Sequence, residues 1–263
     1  MSPPAPAGAF ALDGHVGVVT GAANGLGRAI TEALLVAGAR VVAVDATTED
    51  RYAGRDGVVT VGGDVADPSV GERSLAVGVE RFGRVDLLVN DAAEYPDGGI
   101  LEMDPAAWQR VWDVNVTGLF HMTRAFVRHR LATSPTTGAI VNVSSGSARS
   151  PRPGGGAYAA SKAAVESLSR THAMELGPHG IRVNVVAPGY IDVRGWSEAH
   201  PERAPEALRA QLVAQIPLGE AGRPGDVADA VCFLCSRQAR HVSGAVLDVD
   251  GGSIAGRFQL RRG

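Results

Sequence analysis

Tyr158 and Lys162 stand four residues apart in Tyr158-Ala-Ala-Ser-Lys162, with Ser145 thirteen residues upstream. A four-residue offset places two side chains on one helix face, one turn apart. A tyrosine hydroxyl beside a fixed ammonium loses its proton more easily than a free phenol, whose pKa is about 10. A unit charge about 4 Å away, at an effective dielectric of about 20, contributes roughly 4 kcal/mol. That equals about three pKa units and brings the phenol near 7, the range that acid–base catalysis needs. The pair therefore predicts a tyrosine of lowered pKa that moves protons near neutral pH.

A second group of residues points to a nucleotide. Thr20-Gly-Ala-Ala-Asn-Gly-Leu-Gly27 follows an apolar run and opens an amphipathic one. Gly21, Gly25 and Gly27 let the backbone turn sharply and approach a pyrophosphate, which the N–H groups and positive dipole end of the following helix attract. Asp45 lies about twenty residues on, where a carboxylate can accept hydrogen bonds from the adenosine ribose hydroxyls. It would repel the 2′-phosphate of NADP, and no arginine stands at 24 or 46 to reverse that preference. Asn115 interrupts an apolar stripe of Trp108, Val111, Trp112, Leu119, Met122 and Phe126. A buried amide costs roughly 1–3 kcal/mol unless it is hydrogen-bonded. It reads either as a satisfied structural asparagine or as an amide that holds water beside an active site, and spacing does not separate the two.

These residues need a scaffold, and the apolar pattern supplies one. Strands are predicted at Val16–Thr20, Arg40–Val44, Val58–Gly62, Val85–Asn90, Ala139–Ser144, Arg182–Ala187 and Ala245–Val249. They are nearly continuous in Val and Ile, as strands buried on both faces should be. Helices are predicted over 25–37, 67–82, 104–131, 156–177 and 223–236. Alternating strands and helices predict a Rossmann-type α/β fold: one doubly wound parallel sheet with helices on both faces. Residues 1–10 read as a disordered lead and 11–263 as a single domain. Residues 190–222, after the sixth strand, carry Trp196, prolines at 201 and 205 and a helical run Pro205–Ile216. Ligands of open α/β sheets bind at that edge. The segment reads as a substrate lid, with a plain surface excursion as the alternative.

Composition excludes several classes. With 25 Lys and Arg against 28 Asp and Glu, the net charge of −3 leaves no basic footprint for nucleic acid. No apolar run approaches the roughly 18 residues of a membrane span. Met1-Ser-Pro-Pro lacks a basic n-region, so a cytoplasmic protein is expected and the sequons at Asn115 and Asn142 are chance matches. Cys232 and Cys235 form a CxxC inside a helical run without a second ligand pair. They are expected in the core, and no metal site is expected.

In this combination the chain resembles the short-chain dehydrogenase/reductase family, in its single-domain branch, over residues 12 to 252. The resemblance rests on Thr20–Gly27, Asp64-Val65, Asn90–Ala93, Asn115, Ser145, Tyr158–Lys162, Pro188-Gly189 and Val249-Asp250-Gly251-Gly252. It implies a seven-stranded parallel sheet, hydride transfer between a nicotinamide cofactor and an alcohol or carbonyl substrate, and a homotetramer built on helices from the 104–131 and 156–177 regions. Tyr158 would exchange a proton with the substrate oxygen, Ser145 would orient that oxygen, Lys162 would bind the nicotinamide ribose, and Asn115 would position a relay water. Asp64 would contact the adenine amino group and Val65 would pack on its ring. The full set expected to touch the dinucleotide is Gly21, Asn24, Gly25, Leu26, Gly27, Asp45, Asp64, Val65, Asn90, Ala92, Tyr158, Lys162, Pro188, Gly189 and Ile191. With Asp45, the cofactor expected is NAD.

The chain departs from the family pattern at three places. The usual Asn-Asn-Ala-Gly is Asn90-Asp91-Ala92-Ala93 here, so a carboxylate enters at Asp91 and a glycine is lost at 93. Val193 stands where a threonine often holds the nicotinamide carboxamide. Arg149 and Arg152 follow Ser145 and read either as a site for an acidic substrate group or as surface arginines. Three functions are therefore weighed: an NAD-dependent secondary alcohol dehydrogenase, a 3-oxoacyl thioester reductase, and a non-catalytic NAD-binding regulator. Asp45 argues against the second, which normally draws on NADPH. The intact Asn115, Ser145, Tyr158 and Lys162 argue against the third.

Overall fold

The computed structural model describes residues 10–47, 51–133, 137–193 and 206–256. Seven strands form one parallel sheet in the order β3-β2-β1-β4-β5-β6-β7. They are β1 Val16–Thr20, β2 Arg40–Asp45, β3 Val58–Gly62, β4 Leu87–Asn90, β5 Gly138–Val143, β6 Ile181–Pro188 and β7 Val246–Val249. The helices are α1 Gly25–Val36, α2 Pro68–Phe82, α3 Pro105–Trp112, α4 Leu119–Leu131, α5 Gly156–Leu176, α6 Glu206–Val213 and α7 Pro224–Cys235. This is the single doubly wound domain that the alternating pattern predicts.

Two apolar layers sandwich the sheet, and the inner strands feed both because successive side chains point to opposite faces. Val19, Val41 and Val89 join Ile30, Leu34, Val231 and Leu234 on the α1/α7 face. Val18, Val42 and Leu88 join Leu75, Met122 and Phe126 on the α2/α4 face. Cys232 and Cys235 are free thiols buried in the first layer, where burial pushes both up to about 12. They are core residues, as the absence of a second ligand pair suggests.

Register aligns the strand ends that matter. Thr20 pairs with Val44 on one side and Asn90 on the other, and Asn90 pairs with Asn142. The glycine turn, Asp45, Asp91 and Ser145 therefore all leave the sheet at its carboxyl edge. The strand order reverses between β1 and β4, and a crevice opens at such a switch point.

One expectation is corrected. The single helix expected over 104–131 is three segments: α3, a π-helical stretch Asp113–Gly118, and α4. Two contacts account for the break. Asn115 turns its amide onto the backbone of Glu94, and Gly118 lets Val65 press in so closely that a Cβ there would lie 2.6 Å from Val65 Cγ2. A π-bulge inside an α-helix is frequently a mark of a functional site.

Candidate active site

The glycine turn is built for close approach. Gly21 and Gly25 hold positive φ, at 70° and 54°. A Cβ on Gly27 would lie 2.1 Å from the Gly21 carbonyl oxygen, and one on Gly21 would lie 3.0 Å from the Ala92 backbone. Asn24 is exposed and starts α1 without capping it through its side chain, and the first turn carries no acidic residue. First-turn N–H groups other than that of Gly27, which faces Asp91, are therefore left to an anion, so the turn fits a dinucleotide diphosphate. Leu26 anchors the turn from beneath against the α1/α7 core layer.

Asp45 stands where the sequence places it, beside this turn. Its Oδ2 accepts from the Ala23 N–H at 2.9 Å and its Oδ1 from the Thr47 N–H at 2.9 Å. Each oxygen keeps lone pairs for a further donor. Asp64 lies half-buried, paired with Arg110 and accepting from the Ala66 N–H, and the Arg110 and Ala66 hydrogen bonds together hold its carboxyl below the usual range although burial opposes them. Val65 departs from expectation: it is buried against Gly118 in the α2/α4 layer and offers no free face to a ring. Asn90 also turns inward. Its amide donates to Asn142 Oδ1 at 2.8 Å, and Asn142 donates on to Ser169 Oγ at 2.9 Å. Of Asn90, only the backbone faces the edge. At the far side, Pro188 ends β6, Gly189 passes so close to Asp250 that a Cβ would lie 2.7 Å from its Cβ, and Ile191 bridges to Gly222.

The candidate catalytic group forms at the mouth of β5. Tyr158 and Lys162 share one face of α5, and Ser145 faces the Tyr158 hydroxyl closely enough to act on its pKa. Lys162 is 3% exposed, and its ammonium donates to the Val143 carbonyl at 2.7 Å. The same ammonium lies 5.6 Å from the centre of the Tyr158 ring. Tyr95 closes the other side, edge-on to Tyr158 with ring centres 6.2 Å apart.

The electrostatics overturn the expectation of a lowered tyrosine. Burial pushes the Tyr158 hydroxyl up to about 12; the nearby Ser145 hydroxyl opposes this, while Asp91 and Tyr95 add to it. Lys162 does not offset the burial, because its charge sits over the ring and against the Val143 carbonyl, and burial lowers the ammonium itself to about 8. Sequence spacing gives a shared helix face but not where on the ring the cation falls.

Asn115 resolves to the structural alternative as far as its side chain goes. Its Nδ2 donates to the Glu94 carbonyl and to Ser161 Oγ, each at 2.9 Å, and its Oδ1 accepts from the Glu94 N–H at 2.7 Å. The amide thus clamps the loop after β4 to α5. Beside it lies a cavity of about 10 Å³, lined by Asn115, Lys162, Thr20 and Asn90 among others. That is about the space one water needs. Asn90 Oδ1, buried there, has no protein partner.

Arg149 and Arg152 are both spoken for. Arg149 pairs with Asp248 and with the buried Glu166 at 3.3 Å, and Arg152 pairs with Asp97. The reading in which they await an acidic substrate group is replaced by one in which they fasten the loop after Ser145. Trp196 and the rest of 194–205 within the expected lid lie outside the described residues. Its two ends are joined by the bridge at Gly222 and by Arg209 donating to Asp192 at 2.9 Å. Three contributors were not singled out by sequence: Tyr52, whose hydroxyl donates to the Ala22 carbonyl at 2.8 Å; Arg110; and the Asn142–Ser169 ladder. Only Asn142 gave a signal, a polar residue inside an apolar strand. Among the described residues no cluster of three His, Cys, Asp or Glu could hold a metal ion.

Comparison with known proteins agrees with this geometry. The family model described as Enoyl-(Acyl carrier protein) reductase matches residues 21–253. Galactitol 2-dehydrogenase (L-tagatose-forming) of Cereibacter sphaeroides is 39% identical over 249 residues, 92% of this chain and 96% of that protein. A 3-ketoacyl-(acyl-carrier-protein) reductase from Brucella melitensis, solved with NADH, has a TM-score of 0.84 at 31% identity, covering 93% of this chain and 100% of that one. A chain described as a candidate 2-deoxy-d-gluconate 3-dehydrogenase from Agrobacterium tumefaciens, solved with NADP, has a TM-score of 0.84 at 36% identity, covering 94% and 99%.

Proposed function

The chain belongs to the short-chain dehydrogenase/reductase family, and from that premise we propose that it moves a hydride between NAD(H) and a secondary alcohol or its ketone. It is an oxidoreductase of a family that uses nicotinamide cofactors. The observation that carries the finer reading is the Ser145–Tyr158 hydroxyl pair beside a buried lysine, one strand-end away from a glycine turn fit for a diphosphate.

A bound nicotinamide would supply or accept the hydride. The chain's own residues hold the oxygen and its proton. A carbonyl oxygen placed between Ser145 and Tyr158 accepts from both hydroxyls, and Tyr158 donates its proton as negative charge gathers there. A tyrosine held near 12 is a full proton donor at neutral pH, which suits reduction. Oxidation needs that value lowered, and the positive charge of a bound oxidised nicotinamide ring would act in that direction. The relay water assigned to Asn115 fits the small cavity between Asn115, Lys162 and Asn90 better than the Asn115 amide, whose donors are engaged.

Asp45 supports NAD over NADP, because its carboxylate occupies the space beside the turn where a 2′-phosphate would have to sit. The oxoacyl thioester alternative stays open on one observation: the Brucella reductase of that description was solved with NADH, so cofactor choice alone does not separate the two. Exposed Phe120 and Leu131 on α4 and Met174 on α5 support the homotetramer. No described helix is long and apolar enough to cross a membrane. NADH fluorescence on binding, followed by turnover on a panel of ketones and 3-oxoacyl thioesters, tests the reading. Binding without turnover on any carbonyl would favour the regulator.

A further inference from the structure

The residue after β4 places a carboxyl group directly under the glycine turn. An ideal Cβ on Gly27 would lie 2.8 Å from Asp91 Oδ2, and one on Gly21 would lie 3.4 Å from the same oxygen. The Gly27 backbone faces this carboxyl and works against the effect of burial on it. The backbone cannot swing it away, because Thr20 Oγ1 accepts from the Asp91 and Ala92 N–H groups at 3.1 Å each. Asp91 is half-buried as a residue, and its carboxyl lies against the Gly21 and Gly27 backbone. The charged and titratable groups that face it are few. Lys162 on α5 attracts it, Asp45 at the end of β2 repels it, and Tyr158 on α5 feels its charge. From β1 and the turn into α1 it meets uncharged groups, Thr20 and the Gly21 and Gly27 backbone.

Gly27 lies in the first turn of α1, the turn that fits a dinucleotide diphosphate. Two anions at one helix N-terminus disfavour each other. The diphosphate stays ionised throughout the neutral range, so the carboxyl is the partner that can be neutralised. We propose that Asp91 takes up a proton when the dinucleotide binds, passing from a carboxylate in the free protein above neutral pH to a neutral acid beneath the diphosphate. The proposal rests on the reading of the site as a nicotinamide dinucleotide site. No redox step is involved: one proton from the buffer joins one carboxylate oxygen.

Burial already pushes Asp91 up to about 7, against the pull of Lys162. The diphosphate acts in the same direction as burial, so the bound form has the higher value. The protonated form then binds more tightly, and affinity falls as pH rises through the free-state value and above. Lys162, at about 8, is largely charged already at pH 7 and takes up little there.

The experiment is NADH titration by fluorescence from pH 6.5 to 8.5, with calorimetry at pH 7 in two buffers of different ionisation enthalpy to count protons. For the wild type, Kd rises about tenfold across that range and roughly half a proton is taken up per NADH at pH 7. Asp91→Asn keeps the size and shape of the side chain beneath the turn but cannot ionise; its uptake falls to near zero and its Kd changes less than about twofold. Asp45→Asn keeps the uptake, which separates the two carboxylates. Adenosine, which has no phosphate, binds the wild type without uptake, and this arm decides the matter even if Asp91→Asn fails to fold. No uptake on NADH in the wild type, equal uptake with adenosine, or undiminished uptake in Asp91→Asn overturns the proposal while leaving the site reading intact. No NADH binding at any pH overturns the site reading and the proposal with it.

Discussion

Two aspartates bracket β4, and the sheet treats them in opposite ways. Asp86 precedes the strand at the amino edge, 3% exposed, and accepts from the Val16 N–H at 3.2 Å. Arg84 grips both its oxygens at 2.7 and 2.8 Å, and the buried Arg130 stands 3.4 Å away. Asp91 follows the strand at the carboxyl edge, where its carboxyl faces the Gly27 backbone and feels the attraction of a lysine held elsewhere, on the Val143 carbonyl. The same side chain, buried at either end of one short strand, is saturated with donors in one place and left short of them in the other. The amino edge neutralises its charges within the chain. The carboxyl edge leaves donors and charges partly unmatched, as a site awaiting a charged ligand must.

Breaking the amino-edge cluster gives the largest expected effect. Asp86→Ala leaves Arg130 buried without its carboxylate, and losing one partner of a buried pair costs about 3–5 kcal/mol. Urea denaturation reads this as a lower midpoint, with NADH affinity of the folded fraction unchanged. A midpoint within error of wild type would show that Arg84 and Arg130 find other acceptors.

At the carboxyl edge the sign reverses. The folded-state value of Asp91 is raised to about 7 from an unfolded value near 4, so its burial costs nothing at low pH. The cost grows as pH rises from about 4 to 7 and is constant above. Asp91→Asn is therefore expected to raise stability by about 1–2 kcal/mol at pH 8, allowing for lost attraction to Lys162, and to do little at pH 4. Equal effects at both pH values, measured by thermal unfolding, would mean that Lys162 neutralises Asp91 as fully as the arginines do Asp86.

The smallest effect concerns the outer rim of the same edge. Asp45→Ala should narrow the preference for NAD over NADP, starting from a gap of at least about tenfold, or 1.4 kcal/mol. Adding Ala46→Arg should narrow it further or invert it, as read from kcat/KM for both cofactors. Equal use of the two by the wild type would show that the Asp45 hydrogen bonds to Ala23 and Thr47 exhaust its role.

The contrast also explains what the sequence reveals. Strand and helix positions are legible because both sheet faces are buried, which writes unbroken Val and Ile runs such as Val16–Thr20 into the chain. Residues whose position follows from local geometry, Gly21, Gly25, Gly27, Asp45 and the Tyr158–Lys162 pair, are legible for a similar reason: one turn or one helix places them. What is not legible depends on elements distant in sequence. The inward turn of Asn90 needs Asn142, 52 residues on; the saturation of Asn115 needs Glu94 and Ser161; the pairing of Arg149 needs Asp248, 99 residues away. The π-helical break follows from Val65 pressing on Gly118, which no periodicity encodes. The tyrosine value failed for the same reason, because it depends on where Lys162 and Asp91 come to rest in three dimensions.

The central claim is that the unmatched carboxyl edge is a catalytic site in which Tyr158 handles the proton. Tyr158→Phe keeps the ring against Tyr95 and Lys162 and removes only the hydroxyl that meets Ser145. The most direct measurement is kcat with NADH and a ketone that the wild type reduces, alongside NADH affinity by fluorescence. The account predicts a loss of about two orders of magnitude or more in kcat, with NADH affinity changed by less than about twofold. Turnover within a few-fold of wild type would contradict it.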